Sequence, residues 1–235
     1  MSVASAIRER DVAQLPGKRD EDWRWTDLRG LIREAPAPSE EVNPASLSAG
    51  PFDALAHEII VVANGRGAAH ISVEPGEDKV VALRIVSRGD GAHAARVSVG
   101  VEAGGRLTLL ESYEGEGAYL AHAALTLSLA KNAAVERIVL AADDAEGVTV
   151  SQAEVELAPG AKLAQSTMTG GARRQRIETS VRHPGGHADL RLDGVYLLDG
   201  KRHADLTTAV THAAVDGTTQ QLTKGVVREI GRAHV

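Results

Sequence analysis

A turn that returns at near-constant spacing constrains the fold of this chain more than any other feature. VEPG ends at Gly76, VEAG at Gly104, LAKN at Asn132, LAPG at Gly160 and RHPG at Gly185, in steps of 28, 28, 28 and 25 residues. A position that accepts glycine four times and asparagine once marks a backbone of positive φ, the region those residues enter with least strain. Strand-like segments flank each turn. The repeated object is therefore a turn between strands, coil after coil, which is the sequence signature of a solenoid.

From His57 onward, segments such as EIIVVANG, KVVALRIVS, ARVSVGVEAGGRLTLLE and RHADLTTAVTH carry β-branched residues and partial two-residue alternation. Little beyond the amino-terminal region looks helical, which argues against βαβ folds. Short, regularly spaced strands also suit an immunoglobulin-like sandwich. The near-constant repeat favours a parallel β-helix, with one or two strand-bearing coils per repeat. Composition agrees: only Trp23, Trp25, Phe52, Tyr113, Tyr119 and Tyr196 are aromatic, leaving a core of Val, Leu, Ile and Ala that fits a narrow lumen. A chain of 235 residues buries about 70% of its unfolded surface, enough for one long core.

Residues 1–56 differ in texture. Ser2 to Gln14 reads as a short helix stopped by Pro16 and Gly17. Asp20 to Ile32 reads as a second, with Asp20, Glu21 and Asp22 near its start, where the helix dipole favours acids. The Pro-, Ser- and Ala-rich stretch 35–51 has the composition of a linker. Two units follow: a helical amino-terminal segment with linker, 1–56, and a β core, 57–235.

Several function classes are excluded. A net charge of −6 does not recommend a nucleic-acid backbone as partner, and Arg173, Arg174 and Arg176 are too short a run to reverse that. Without cysteine there are no disulfides, no thiolate nucleophile and no all-cysteine ligation of an iron–sulfur cluster. The opening MSVASAIRERD puts charges where a signal peptide is apolar, and no 18-residue apolar run occurs. The expectation is a cytoplasmic protein with no membrane contact.

Motifs of catalysis are sparse. In GVYLLDGK, Gly194 and Gly200 are one residue too far apart for a phosphate loop, and Arg202 stands where Ser or Thr would hold magnesium. Asp199-Gly200 reads instead as a hairpin turn. His183 and His187 flank a Pro-Gly-Gly turn and read as a solvated turn rather than a metal site. If RHADLTTAVTH is one strand, Ala204, Leu206, Thr208, Val210 and His212 share a mostly apolar face, and His203, Asp205, Thr207 and Thr211 share the other. His212 is then either a core histidine or an interface or ligand residue. There is no G-x-S-x-G elbow, and Asp143, Asp144 and Glu146 sit in a polar loop.

Two stretches carry a family resemblance. LPGKRDEDWRWTDLRGL, residues 15–31, resembles the amino-terminal signature of the SufB/SufD subunits of the SUF iron–sulfur cluster assembly system, with Trp23, Arg24, Trp25, Thr26, Asp27 and Leu28 in register. From Gly194 to Lys224 the chain resembles that family's later block, with Gly194, Tyr196, Asp199, Gly200, His203, Asp205, His212 and Lys224 on the pattern. VEAGGRLTLLESYEG, residues 101–115, is similar to the start of the core in the SufD branch.

The resemblance implies a right-handed parallel β-helix that pairs with a SufB-like subunit. It also implies a SufC-like ABC ATPase, engaged through a carboxy-terminal segment missing here because the chain stops at GRAHV; the expectation is a fragment or truncated product. The role implied is a scaffold, not an enzyme, with His203, Asp205 and His212 as metal-proximal candidates and His212, Thr219 and Lys224 as partner-interface candidates. A frequent family cysteine falls on Gly217 and a serine on Thr219. No cofactor is expected on this chain alone, and an iron–sulfur cluster or iron only transiently in the complex. The competing expectations are a carbohydrate-active β-helix enzyme with an acidic groove, and a self-associating β-solenoid such as a homodimer.

Overall fold

The computed structural model describes residues 2–67, 69–183, 186–213, 215–229 and 232–234. Strands alternate along the chain: β1 (Glu58–Ala63), β2 (His70–Val73), β3 (Asp78–Arg88), β4 (Ala92–Val101), β5 (Arg106–Glu116), β6 (Leu120–Leu129), β7 (Ala134–Ala142) and β8 (Val148–Leu157). They continue with β9 (Lys162–Thr169), β10 (Arg174–His183), β11 (Asp189–Leu198), β12 (His203–His212), β13 (Thr218–Val227) and β14 (Arg232–His234). Odd-numbered strands form one seven-stranded sheet and even-numbered strands the other. Among the described residues every strand-to-strand pairing is parallel, with partners one coil apart, as in Asp78↔Arg106, Arg106↔Ala134 and Ala134↔Lys162. The chain is a parallel β-solenoid in which one repeat is one coil of two strands.

The recurring turns have the backbone their residues imply. Gly76, Gly104, Asn132 and Gly160 lie at φ of 74°, 71°, 59° and 71°; the turn at Gly185 falls outside the described residues. The turns stack as well as repeat: Gly104 N–H donates to the Lys131 carbonyl and Asn132 N–H to that of Pro159, each at 3.1 Å. A Cβ on Gly160 would lie 2.2 Å from Asn132 Oδ1, a contact the asparagine side chain would have to turn away from, and the φ of 71° disfavours a side chain there in any case.

Inside, alternation fills the lumen. In β9, Leu163, Gln165, Thr167 and Thr169 are buried, while Lys162, Ala164, Ser166 and Met168 face out. The lumen is largely apolar but also holds buried polar side chains. Arg137 donates to both oxygens of Glu111, at 2.7 and 2.9 Å, and to Gln165 Oε1 at 2.8 Å. Just past the end of β7, Asp143 accepts from Tyr119 at 2.8 Å, Gln175 at 2.7 Å and Thr149 at 3.2 Å. Burial pushes the Asp143 carboxyl above its usual range despite these donors.

The hairpin expected at Asp199-Gly200 does not form. β11 and β12 lie in different sheets, and Gly200, at φ of 63°, turns a corner of the solenoid between them. Each strand already finds its partners one coil away, β11 in β9 and β13, β12 in β10, so no local pairing is needed.

The amino-terminal segment lies on the outside of the even-numbered sheet. α1 (Val3–Glu9) is capped by Ser2, which accepts from Ser5 N–H, and its Val3 and Ala6, with Leu15 and Leu28, bury Ala92, Leu120, Val148 and Val150. The second helix expected over Asp20–Ile32 is only a 3-10 turn, Glu21–Trp23, and the single turn α2 (Leu28–Leu31). Tertiary contacts override its local pattern: the Asp22 and Trp25 carbonyls point to the solenoid, and the Pro16 carbonyl takes the N–H groups of Leu28 and Arg29. The stretch 35–51 also lies along the coils, where Ser39 N–H donates to the Ala92 carbonyl and Arg66 holds the Ser39 and Glu40 carbonyls.

Candidate functional site

β12 carries three of the sequence candidates, and the structure divides them between two places. Strand rise is about 3.3 Å per residue, so Asp205 and His212 sit roughly 23 Å apart along the strand. The lumen face of β12 carries Leu206 and Val210 in the core. The opposite face, at His203 and Asp205, is buried too, because the amino-terminal segment covers it.

Asp205 is fully buried and fully engaged. One oxygen accepts from Thr26 Oγ1 and from Arg176 Nη1 at 3.0 Å, and the other from Thr207 Oγ1 at 2.8 Å. Arg176, 3% exposed, also donates to the Asp22 carbonyl at 2.8 Å and to Glu178 at 3.1 Å, and its guanidinium lies 4.6 Å from the Trp23 ring. That stacked geometry is a cation–π contact. His203 completes the arrangement: its Nε2 is 3.1 Å from the Trp25 carbonyl, and since a carbonyl only accepts, that nitrogen carries the proton. Burial, then the Arg174 charge, holds the His203 imidazole below its usual range. Together these contacts form a latch that fastens the tryptophan-bearing segment to the solenoid.

His212 lies at the other end of β12. It is exposed, with Thr219 Oγ1 3.4 Å from its Nε2 and the ring of buried His183 at 4.2 Å between centroids. Thr219 pairs in register with Leu190, and Lys224 with Val195, on β13, where both are exposed. His212 and Thr219 thus meet, whereas Lys224 lies further along and no contact joins it to them among the described residues. His187 is exposed at φ of 59° while His183 is buried.

Sequence reasoning missed Arg176, which reads as part of a short surface run, and the link between His183 and His212. Coil spacing holds the signal for both. Arg176 and Asp205, like His183 and His212, are paired in register 29 residues apart.

Comparison with known proteins places these features in context. Residues 84–235 match the SufBD core domain described as SUF system FeS cluster assembly. The chain is 26% identical over 241 residues to an iron–sulfur cluster assembly SufBD family protein of Mycobacterium leprae, covering 93% of this chain and 61% of that protein. It is 24% identical to one of Mycobacterium bovis, over 93% and 60%. The chain spans about three-fifths of the length of these relatives.

Proposed function

The chain belongs to the SufBD family, and on that premise we propose that it serves iron–sulfur cluster assembly in the cytoplasm as a SufD-like, non-catalytic scaffold. The match over residues 84–235, which takes in the solenoid from the middle of β3 onward, carries this reading. The geometry supports it in two ways. His203 and Asp205 are engaged in holding the amino-terminal segment, a structural task. His212, Thr219 and Lys224 stand exposed on the last coils, and the register puts Lys224 beside Val195, one of an exposed apolar set with Met168, Leu197 and Val226.

On this account a related SufB-like solenoid subunit docks at that end, with a second copy of this chain as the alternative occupant. A SufC-like ABC ATPase, engaged through the further length that the relatives possess, supplies ATP turnover. Iron or a nascent cluster is the cargo of the complex and not a resident cofactor of this chain.

A carbohydrate-active enzyme fits less well. The long groove on the odd-numbered sheet is not acidic but mixed, with Asp78, Arg106, Glu136, Lys162, Asp189 and Arg191 along it. Depleting the protein in its own cells and assaying a [4Fe–4S] dehydratase tests the proposal. Activity should fall and return on re-expression; unchanged activity in depleted cells sinks the assembly role.

A further inference from the structure

The latch holds one aromatic side chain out in solvent. Trp25 is 53% exposed, and among the described residues it is the one exposed aromatic. Its backbone is nevertheless fixed on both sides of the ring. The Trp25 carbonyl meets His203 Nε2 at 3.1 Å, and the next residue, Thr26, is fully buried on Asp205. Trp23, by contrast, is partly buried against the Arg176 guanidinium. A large side chain presented on a fixed backbone gives up little freedom when it binds, and tryptophan and arginine are the residues in which binding hot spots are enriched.

Cations gather around that ring. Arg24 lies over it, with Cζ 5.1 Å from the centroid. His203 exchanges backbone hydrogen bonds with Ala172, at 2.8 and 3.2 Å, which brings Arg173 and Arg174 beside Lys201 and Arg202. Arg202 Nη1 donates to the Gly171 carbonyl at 2.6 Å and ties the two corners together, and the Arg174 charge reaches the His203 imidazole. Arg24, Arg173 and Lys201 are exposed, Arg174 and Arg202 partly so. The acids at these corners are engaged elsewhere. Asp144 accepts from the Gly117 and Glu146 N–H groups, and Asp199 pairs with Arg228 at 2.5 Å. Glu21 and Asp22, exposed on the turn before Trp25, are outnumbered.

A positive cluster on a chain of net charge −6 runs against the trend of the molecule, and its chemistry selects the occupant. Guanidinium groups take carboxylates in paired hydrogen bonds, and the indole offers an apolar face between them. A nucleic-acid backbone fits less well, because its binding grows with the number of phosphates neutralised, and only a few cations stand here on an acidic chain. We propose that Trp25, with Arg24, Arg173, Arg174, Lys201 and Arg202 around it, forms a docking surface for an acidic segment of a partner protein. An apolar side chain of that segment packs on the indole, and its carboxylates meet the cations. The surface lies at the His203 end of β12, the opposite end of the strand from His212, and so stands apart from the solenoid docking proposed above.

Fluorescence anisotropy of a labelled glutamate peptide with leucine at its centre tests this, against the same peptide with lysine for glutamate and a labelled oligothymidylate. The variants are Trp25→Ala, the double charge reversal Arg173→Glu with Lys201→Glu, and Lys131→Glu on an exposed turn as control. The substituted side chains are exposed, so all variants should fold, and an unchanged circular dichroism spectrum verifies it. The expected result is saturable binding of the glutamate peptide that weakens with salt and is unchanged in Lys131→Glu. Trp25→Ala and the double reversal should each weaken it about tenfold or more, as for hot-spot and charge-complementary contacts. No binding by the wild-type chain, or binding that survives Trp25→Ala or the double reversal, overturns the proposal. So does equal or tighter binding of the lysine peptide or the oligothymidylate.

Discussion

Thr26 and Asp205 stand 179 residues apart in the chain and share a hydrogen bond in which both side chains are fully buried. That bond, with the Arg176 contacts to Asp205 and to the Asp22 carbonyl, makes the amino-terminal segment part of the solenoid wall and not an appendage. Trp23 and Trp25, the chain's two tryptophans, both lie in the latched segment, so tryptophan fluorescence reports directly on whether it is closed.

Removing the Asp205 carboxylate leaves the Arg176 guanidinium buried without its acid. Asp205→Ala is expected to destabilise by about 3 to 5 kcal/mol, the usual range for breaking a buried pair from one side, whereas Thr26→Val should lose about 1 to 3 kcal/mol. Both should red-shift tryptophan emission before the β signal in circular dichroism is lost. An Asp205→Ala protein with wild-type urea midpoint and emission would refute the latch.

The lumen pair Arg137 and Glu111, 2% and 0% exposed at the side chain, should show strong coupling. Arg137→Met or Glu111→Leu alone is expected to lose about 3 to 5 kcal/mol, and the two together much less than the sum. Chemical unfolding of the four proteins measures the cycle. Additive losses would mean that the pair is screened and that the lumen is wetter than the structure shows.

Acid should weaken the fold through its buried histidines. His93 sits between Ser39 and Ser87, at 2.8 and 3.0 Å; burial, then the Arg66 charge, takes it from 6.5 to about 4. The folded protein therefore binds this proton more weakly than the unfolded chain. Its contribution is complete above about pH 6.5 and is lost as pH falls toward 4, on the order of 2 to 3 kcal/mol by about pH 4.5. His122, His183 and His203 shift in the same direction. His93→Gln should flatten the decline in urea stability between about pH 7 and pH 4.5 by roughly that amount, and an unchanged slope would show that His93 protonates freely in the folded state.

The solenoid was legible because its cause is local and periodic: positive φ at Gly76, Gly104, Asn132 and Gly160 needs the same residue types each time. The latch was not, because nothing near Thr26 announces a partner 179 residues away. The misread helix over Asp20–Ile32 has the same origin, since its acids and apolar spacing are local signals that contacts with Arg176 and His203 override. Parity correctly put Leu206, Val210 and His212 on one face of β12. It did not anticipate that His203 and Asp205 would be buried on the other, because a strand pattern cannot show what covers its outer face.

Affinity purification of the tagged protein from its native cells, with the bound proteins identified by mass spectrometry, tests the central claim most directly. The account predicts stoichiometric recovery of a related SufBD-type solenoid subunit together with an ABC-type ATPase, and no ATP turnover by this chain alone. Recovery of neither partner, or ATP hydrolysis by the isolated chain, would contradict it.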